Sequence, residues 1–172
     1  SIKKIEGYPE VFDLAIARFE PENHIEEIIS AYEDNPHATL VLVANKNTKL
    51  YEKLSGRILK AQNILFNGPI YDKDELAYLK IKCRYYIHGH SVGGTNPSLL
   101  EALAAGCTIM IHDNDFNKDV VGPHGYVWSN QSDLEKLINS NNQRLSTVHS
   151  QKQYCKDRFN WKRIADEHIG VF

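Results

Sequence analysis

Hydrophobic positions along the chain change their spacing repeatedly, and this change predicts alternating strands and helices. The run FDLAIARF (12–19) is short and almost continuously apolar, which is typical of a strand covered on both faces. After it, Ile25, Ile28, Ile29 and Tyr32 recur at helical spacing. The predicted strands are FDLAIARF, TLVLVAN (39–45), NILFNG (63–68), RYYIHG (84–89), CTIMIHD (107–113) and GYVWS (125–129). The predicted helices are PENHIEEIISAYEDN (21–35), TKLYEKLSGRILKA (48–61), DKDELAYLKIK (72–82), NPSLLEALAAG (96–106), DFNKDVV (115–121) and the chain from 133 onward, with a break near 139–142.

This alternation predicts an α/β fold, a Rossmann-like, doubly wound parallel sheet with helices on both faces. The 172 residues suffice for one domain with a substantial core, so we expect residues 1–172 to form a single domain. Ligands of such folds bind outside the carboxyl ends of the strands, near the point where strand order reverses. Candidate site residues are therefore those just after each strand.

Composition excludes several classes of protein. A formal net charge of -2 and the lack of a basic tract argue against nucleic acid as a partner. The three cysteines have no CxxC spacing, which fits a reduced, cytosolic setting. No apolar run approaches the roughly 20 residues of a membrane helix, and the chain opens without a signal-peptide pattern. The abrupt solvated start fits a piece of a longer protein.

The stretch HGHSVGGTNPSLLEALAAG (88–106) has the composition of an anion site before a helix. Gly93 and Gly94 allow positive φ, Thr95 or Asn96 can cap the helix, and Pro97 suits its first turn. Free N–H groups at a helix N-terminus attract anions. The alternative is a plain strand–turn–helix connection that needs glycine for its geometry.

Glu101 is the one charged residue of this helix, which is apolar nearly all round and so predicted to be packed on most sides. A carboxylate there requires hydrogen bonds or a partner. It can lie on a narrow polar strip, pair with a buried Arg or Lys, or accept hydrogen bonds from ligand hydroxyls beside an anion. The last arrangement describes the ribose and phosphates of a nucleotide.

Four segments in order resemble the C-terminal, donor-binding domain of GT-B-fold glycosyltransferases of family 4, and bacterial rhamnosyltransferases of polysaccharide assembly in particular. The segment ARFEPENHIEEIISAY (17–32) is similar to the family's G-R-L-x-x-x-K-G turn, and FNGPIYDKDELAYL (66–79) to its G-x-v-x-x-x-x-L segment. The stretch that begins at residue 88 matches the E-x7-E region, and DRFNWKRIADEH (157–168) the closing Arg-Phe-x-Trp helix.

The resemblance implies roles for individual residues. Arg18 matches the arginine that binds the donor diphosphate, while the lysine position falls on Asn23 or His24. Glu101 matches the second glutamate, which binds the ribose, and we take Arg18 and Glu101 as the candidate catalytic residues. The first glutamate, a sugar contact, is replaced by Gly93. This departure argues against a simple glucosyl- or mannosyltransferase and favours dTDP-rhamnose as donor, with a UDP-sugar second. Asn67 and Gly68 are implied near the base.

The chemistry is expected to proceed without a metal and without a cofactor, the sugar nucleotide being a substrate. Departing diphosphate can be stabilised by Arg18, the N–H groups of Gly93, Gly94 and Thr95, and the helix dipole. The DND spelling at 113–115 resembles a cation-binding DxD pair, and we interpret it as a coincidence.

His88 and His90 lie on one face of a strand but have no evident further zinc ligand. We expect one histidine to pack at the strand end and His90 to reach the phosphate or sugar. Asn114 and Phe116 are weaker candidates for lining the cleft.

GT-B enzymes work in a cleft between two domains, and this chain has room for the donor half only. The resemblance therefore implies as partners a nucleoside-diphosphate sugar, an N-terminal acceptor domain of the same protein and a glycan or lipid-linked acceptor. We expect the isolated chain to transfer little or no sugar. We also expect a cytoplasmic enzyme, with peripheral association with the inner face of the membrane left open.

Two other functions stay open on the sequence. A GT-B sugar-nucleotide epimerase shares the donor site, but no paired acid/base carboxylates are visible. A non-catalytic nucleotide- or phosphosugar-sensing module of flavodoxin-like architecture is the other. A receiver domain of that type needs an Asp at the end of its third strand, where this chain has FNGPI (66–70).

Overall fold

A computed structural model describes residues 5–94, 96–140 and 148–159. Six strands form one parallel sheet in the order β3-β2-β1-β4-β5-β6. The strands are β1 (Asp13–Ile16), β2 (Leu40–Val43), β3 (Ile64–Asn67), β4 (Tyr86–His88), β5 (Ile109–His112) and β6 (Gly125–Trp128). The α-helices are α1 (Ile25–Glu33), α2 (Lys49–Lys60), α3 (Lys73–Lys82), α4 (Pro97–Ala105), α5 (Asp115–Val121), α6 (Gln131–Asn139) and α7 (Val148–Arg158). Short 3₁₀ turns occupy Pro21–Asn23 and Gly122–His124.

The sheet is covered on both faces, as the sequence predicts. In β2, Leu40 and Leu42 point into a core built with α1, α2 and α6, whereas Val41 and Val43 point into a second core with α3, α4, α5 and α7. A strand buried on both sides needs apolar residues at every position, which is why these strands read as continuous runs. The α/β, Rossmann-like fold class predicted from the sequence is confirmed.

Several elements are shorter than predicted, and the difference that matters for the site is in the first strand. The first strand ends at Ile16 rather than near residue 19, because the chain leaves the sheet there for the connection to α1. The break predicted near 139–142 in the final helical region is confirmed, since α6 ends at Asn139 and α7 begins at Val148. Most of the segment 157–168 lies outside the described residues.

A buried ionic cluster ties β1 to the start of β4 at the amino end of the sheet. The fully buried Asp13 accepts hydrogen bonds from the Arg84 guanidinium at 2.9 and 2.7 Å and from the Tyr32 hydroxyl at 2.6 Å. Hydrogen bonding to Asp13 raises the pKa of Arg84, and burial raises that of Tyr32. The cluster fixes β1 beside β4, the two strands whose opposite ends carry the site.

The three cysteines are all buried thiols without a disulfide. Across the described ranges, none of the helices has the length and apolar character required to cross a membrane.

Candidate functional site

Strand order reverses between β1 and β4, and a cleft of about 330 Å³ opens at the carboxyl ends of these strands. It is lined by the last residues of β1, β2 and β4, by residues that follow these strands and β3, by Leu76 of α3 and by the start of α4. They are Ile16, Ala17, Arg18, Asn23, Val43, Ala44, Asn45, Pro69, Ile70, Leu76, His88, Gly89, His90, Asn96 and Ser98. The cleft therefore brings together four of the predicted site residues: Arg18, Asn23, His90 and Asn96.

The backbone of the connection from β1 to α1 distinguishes His24 from Asn23. His24 adopts a left-handed conformation with φ 49° and ψ 32°, a region that glycine favours. His24 thus stands where the family motif G-R-L-x-x-x-K-G has its final glycine. Of the two candidates for the lysine position of the resemblance, this conformation favours Asn23, which is uncharged.

Asn23 holds His90 through a defined hydrogen bond. The Asn23 amide nitrogen donates to the Arg18 carbonyl at 2.9 Å, so the amide oxygen is the atom 2.9 Å from His90 Nδ1. Since that oxygen only accepts, His90 Nδ1 must carry a proton. The other ring nitrogen of His90, Nε2, has no hydrogen-bond partner among the described residues.

Gly89 permits the close approach that this bond requires. A Cβ atom at Gly89 would overlap the carbonyl oxygen of Asn23. Glycine is therefore needed between His88 and His90 because the end of β4 packs directly on the turn after β1.

The amino end of α4 is built as the sequence predicts. The Asn96 side chain caps the helix by accepting from Ser98 N at 2.9 Å, and Pro97 follows at the first helical position. Gly93 has φ 83°, and both Gly93 and Gly94 are exposed on the loop before the helix. Thr95 lies outside the described residues. Ser98 and the Tyr86 hydroxyl lie 2.5 Å apart, which anchors this first turn to β4.

His88 packs at the strand end. It is 3% exposed, and burial lowers its pKa to about 3, with a smaller contribution from His90. His88 is thus a neutral imidazole in the floor of the cleft, and its Nε2 has no hydrogen-bond partner within the described part of the chain.

His24 is not among the residues that line the cleft. Its ring nitrogens lie 2.9 Å from Glu27 Oε1 and 2.9 Å from Ser91 Oγ, and its ring stacks on His112 with centroids 3.8 Å apart. These contacts occupy both nitrogens. His24 therefore fastens the loop after β4 to the start of α1.

α4 is packed on most sides, as the sequence predicts, and Glu101 lies on its exposed strip. Helical spacing places it on the same strip of α4 as the exposed Pro97, and its side chain is 56% exposed. Its Oε2 pairs with the ammonium group of Lys80, a buried residue of α3. Of the environments that the sequence left open for Glu101, the structure shows two together: a narrow exposed strip and pairing with a buried lysine.

Asn67 and Gly68 end β3 beside the cleft, whose lining continues with Pro69 and Ile70. The Asn67 amide donates to the Tyr8 hydroxyl at 2.9 Å, and that hydroxyl donates to Glu75 at 2.5 Å. The Asn67 side chain is therefore engaged within the protein, which leaves the main chain of this segment for contacts with a ligand.

The segment after β5 holds the loop after β4 in place through hydrogen bonds to its main chain. The side-chain amides of Asn114 and Asn117 donate to the His90 carbonyl at 3.1 and 2.7 Å, while Phe116 is largely exposed. Neither Asn114 nor Phe116 lines the cleft.

Asp113, the first residue of the DND spelling, pairs with Lys118 at 2.8 Å. The hydrogen bond from Lys118 lowers the pKa of Asp113.

Comparison with known proteins decides the family. Residues 4–158 match the family described as "Glycosyl transferases group 1". The chain belongs to this glycosyltransferase family. An uncharacterised glycosyltransferase of Methanocaldococcus jannaschii is 28% identical over 162 residues, which cover 86% of this chain and 41% of that protein.

Solved structures share the fold of this group 1 domain. Sucrose-phosphate synthase from Thermosynechococcus elongatus superposes with a TM-score of 0.76 at 18% identity, over 94% of this chain and 44% of that chain. The Anabaena protein HepE, crystallised with UDP-glucose, gives a TM-score of 0.73 at 18% identity, over 94% of this chain and 49% of that chain. The chain thus spans less than half the length of these relatives.

The sequence did not predict several residues of the group 1 domain that shape the site. Lys80 reads as a surface residue of α3, yet it is buried beside Glu101. Gly89 carries a usable signal, since a lone glycine at a strand end indicates close backbone approach. Asn117 gives no such signal, because its contact with the loop after β4 exists only in the folded chain.

Proposed function

We propose that this chain is the donor-binding domain of a retaining, metal-independent glycosyltransferase, and that it binds a nucleoside-diphosphate sugar in the cleft between β1 and β4. One observation carries the proposal. Arg18 and the capped amino end of α4 meet at the point where strand order reverses, together with His90. This arrangement suits a diphosphate, because a guanidinium and a helix N-terminus are both favourable anion partners.

The proposed reaction depends on stabilising the departing diphosphate. Arg18, the dipole of α4 and the N–H groups of Gly93 and Gly94 supply positive potential where negative charge develops. Thr95, which the sequence gives the same role, lies outside the described residues. These groups belong to the chain itself, which supports a mechanism without a metal. Retention of configuration is inferred from the family resemblance.

The ribose and base are assigned to the α3 side of the cleft. Glu101 keeps Oε1 clear of hydrogen bonds to the described residues, so this oxygen can accept from a ribose hydroxyl while Oε2 stays paired with Lys80. Pro69 and Ile70 offer an apolar surface for a base next to the main chain of Asn67 and Gly68.

The donor we favour is dTDP-rhamnose, with a UDP-sugar second. Gly93 in place of the family's sugar-binding glutamate supports a sugar with a different set of hydroxyls. His88 Nε2, a buried atom without a partner among the described residues, can accept one hydrogen bond from the sugar. The bound UDP-glucose of the Anabaena relative supports the second donor.

The remaining properties of the enzyme are proposed at the level of the whole protein. A further domain would bind a glycan or lipid-linked acceptor, which is consistent with relatives more than twice as long as this chain. The isolated chain would then bind donor but transfer little sugar. We propose a cytoplasmic enzyme of bacterial polysaccharide synthesis, without nucleic acid as a partner.

Calorimetric titration of the chain, without added metal, against dTDP-rhamnose, UDP-glucose, dTDP, UDP and GDP tests the proposal. We expect dTDP-rhamnose to bind most tightly, and addition of a chelator to leave its affinity unchanged. Binding that requires a divalent cation would contradict the metal-independent mechanism. Absence of binding by every sugar nucleotide would contradict the donor-binding function.

A further inference from the structure

The cleft holds fewer permanent positive charges than the proposed ligand requires. In the family resemblance an arginine and a lysine both bind the diphosphate, and here Asn23 stands at the lysine position. Of the described residues that line the cleft, only Arg18, His88 and His90 can be charged, and only Arg18 is charged at every accessible pH. A sugar nucleotide carries two negative charges on its diphosphate. One of them lacks a cationic partner unless a histidine supplies it.

His88 does not supply it. It is 3% exposed, and burial lowers its pKa to about 3, so it stays neutral in the physiological range. His90 is partly exposed and lines the cleft. It is therefore the one candidate for a second positive charge among the described lining residues.

The contact with Asn23 decides how His90 can meet an anion. The Asn23 amide nitrogen donates to the Arg18 carbonyl, so the amide oxygen faces His90 Nδ1. This oxygen accepts a hydrogen bond from Nδ1, which therefore carries a proton. In the neutral ring Nε2 then carries a lone pair, which repels a phosphate oxygen. His90 can donate from Nε2 only as the doubly protonated imidazolium.

We propose that His90 binds the donor diphosphate as an imidazolium, so that donor binding takes up a proton from solvent. This inference rests on the proposed donor-binding function. Asn23 is the positioning residue, since it does not replace the missing lysine directly but directs His90 to do so. A bound diphosphate favours the charged form of an adjacent imidazole, and the neutral range is where histidine changes its protonation.

The surroundings of His90 are compatible with this change. The β1–α1 connection presents Arg18 and Asn23, β4 presents His88, and the first turn of α4 presents the uncharged Asn96 and Ser98. From α5, uncharged amides contact the His90 carbonyl rather than its ring. The described residues that line the cleft include no carboxylate, so the anion available to stabilise the imidazolium is the bound diphosphate.

Calorimetric titration with UDP-glucose and dTDP-rhamnose, in buffers of different ionisation enthalpy, measures the protons taken up on binding. Sugar nucleotides are the suitable probes because a terminal phosphate, as in free UDP, itself titrates near pH 6, whereas their esterified phosphates do not. We expect uptake of up to about one proton and affinity that rises as pH falls, by up to about tenfold per pH unit.

Variants separate this role from a structural one. In His90→Gln the amide can donate from the position of Nε2 without a charge, so proton uptake should vanish and affinity should become independent of pH. Adding Asn23→Lys to this variant should restore affinity, still without proton uptake. His37→Gln, which changes an exposed histidine outside the cleft, should behave like the unmodified chain.

Tight binding with equal proton exchange in the unmodified chain and in His90→Gln would overturn this inference and leave the donor site standing. Absence of binding by any sugar nucleotide, with the fold intact, would overturn the donor site and the inference together.

Discussion

The ammonium group of Lys80, 7% exposed, forms an ion pair with the carboxylate of Glu101, whose side chain is 56% exposed. The pair joins α3 to α4 about one helical turn after Leu76 and Ser98, which line the cleft, whereas Lys80 and Glu101 do not line it. The two partners differ in exposure. The buried lysine has Glu101 as its charge partner, whereas the exposed carboxylate keeps one oxygen available to a ligand.

Replacement of Glu101 by Ala should therefore have two effects. It leaves the buried Lys80 without its partner, which should lower the free energy of unfolding by about 1–3 kcal/mol. It also removes the proposed ribose contact, which should weaken sugar-nucleotide binding by about 1–3 kcal/mol. Urea denaturation and calorimetric titration measure the two effects separately.

Lys80→Met is the matched control for this pair. It replaces the buried cation with an apolar side chain of similar length, which should change stability little, and it leaves Glu101 in place to bind the ribose. If Lys80→Met weakened nucleotide binding as much as Glu101→Ala does, the carboxylate would not be acting as a ligand itself.

Gly89→Ala should disturb both fold and site. The added methyl group meets the carbonyl oxygen of Asn23, which is backbone and cannot rotate away. We expect a loss of about 1–3 kcal/mol in the free energy of unfolding and weaker binding of UDP-glucose, because Asn23 and His90 are displaced. The control is Gly56→Ala in α2, where the new methyl group meets nothing within 4 Å and should stabilise the helix. Equal stability of the two variants would argue against the close approach.

Buried His88 should make the protein less stable in mild acid. Its pKa is lowered to about 3 in the folded chain, so below about pH 6.5 the unfolded state binds a proton that the folded state does not. Stability from this group is complete above that pH and decreases as pH falls, by about 2 kcal/mol between pH 7 and pH 5.

Urea denaturation of the unmodified chain and of His88→Gln at both pH values checks this prediction. The variant titrates no group at this position, so its stability should fall less over the same range. Parallel pH profiles would show that His88 is not the source of the acid sensitivity.

Arg18→Ala should weaken sugar-nucleotide binding by about 1–3 kcal/mol without lowering stability, since Arg18 is exposed and lines the cleft. Lys152→Ala, which removes an exposed cation of α7, is the control for a general charge effect. Equal affinities of the two variants would remove Arg18 from the site.

The fold could be predicted from the sequence because its signals are local. Leu40 to Val43 read as a buried strand, and Asn96 and Gly106 mark both ends of α4, since these choices depend on neighbours in the chain. The cleft, too, follows from strand order and from the residues after each strand.

The contacts that tune the site could not be predicted in this way. His90 meets Asn23 across 67 positions, and Lys80 meets Glu101 across 21. From spacing alone, His24 was as good a candidate as Asn23 for the position of the family's diphosphate-binding lysine. Only the left-handed backbone of His24, together with its stack on His112, shows which of the two faces the cleft.

The most direct test of the donor site is a crystal structure of the chain with UDP-glucose or dTDP-rhamnose. We predict a diphosphate within hydrogen-bond distance of Arg18 and His90, at the amino end of α4, with a ribose hydroxyl on Glu101. A sugar nucleotide bound elsewhere, with the cleft between β1 and β4 empty, would contradict the account.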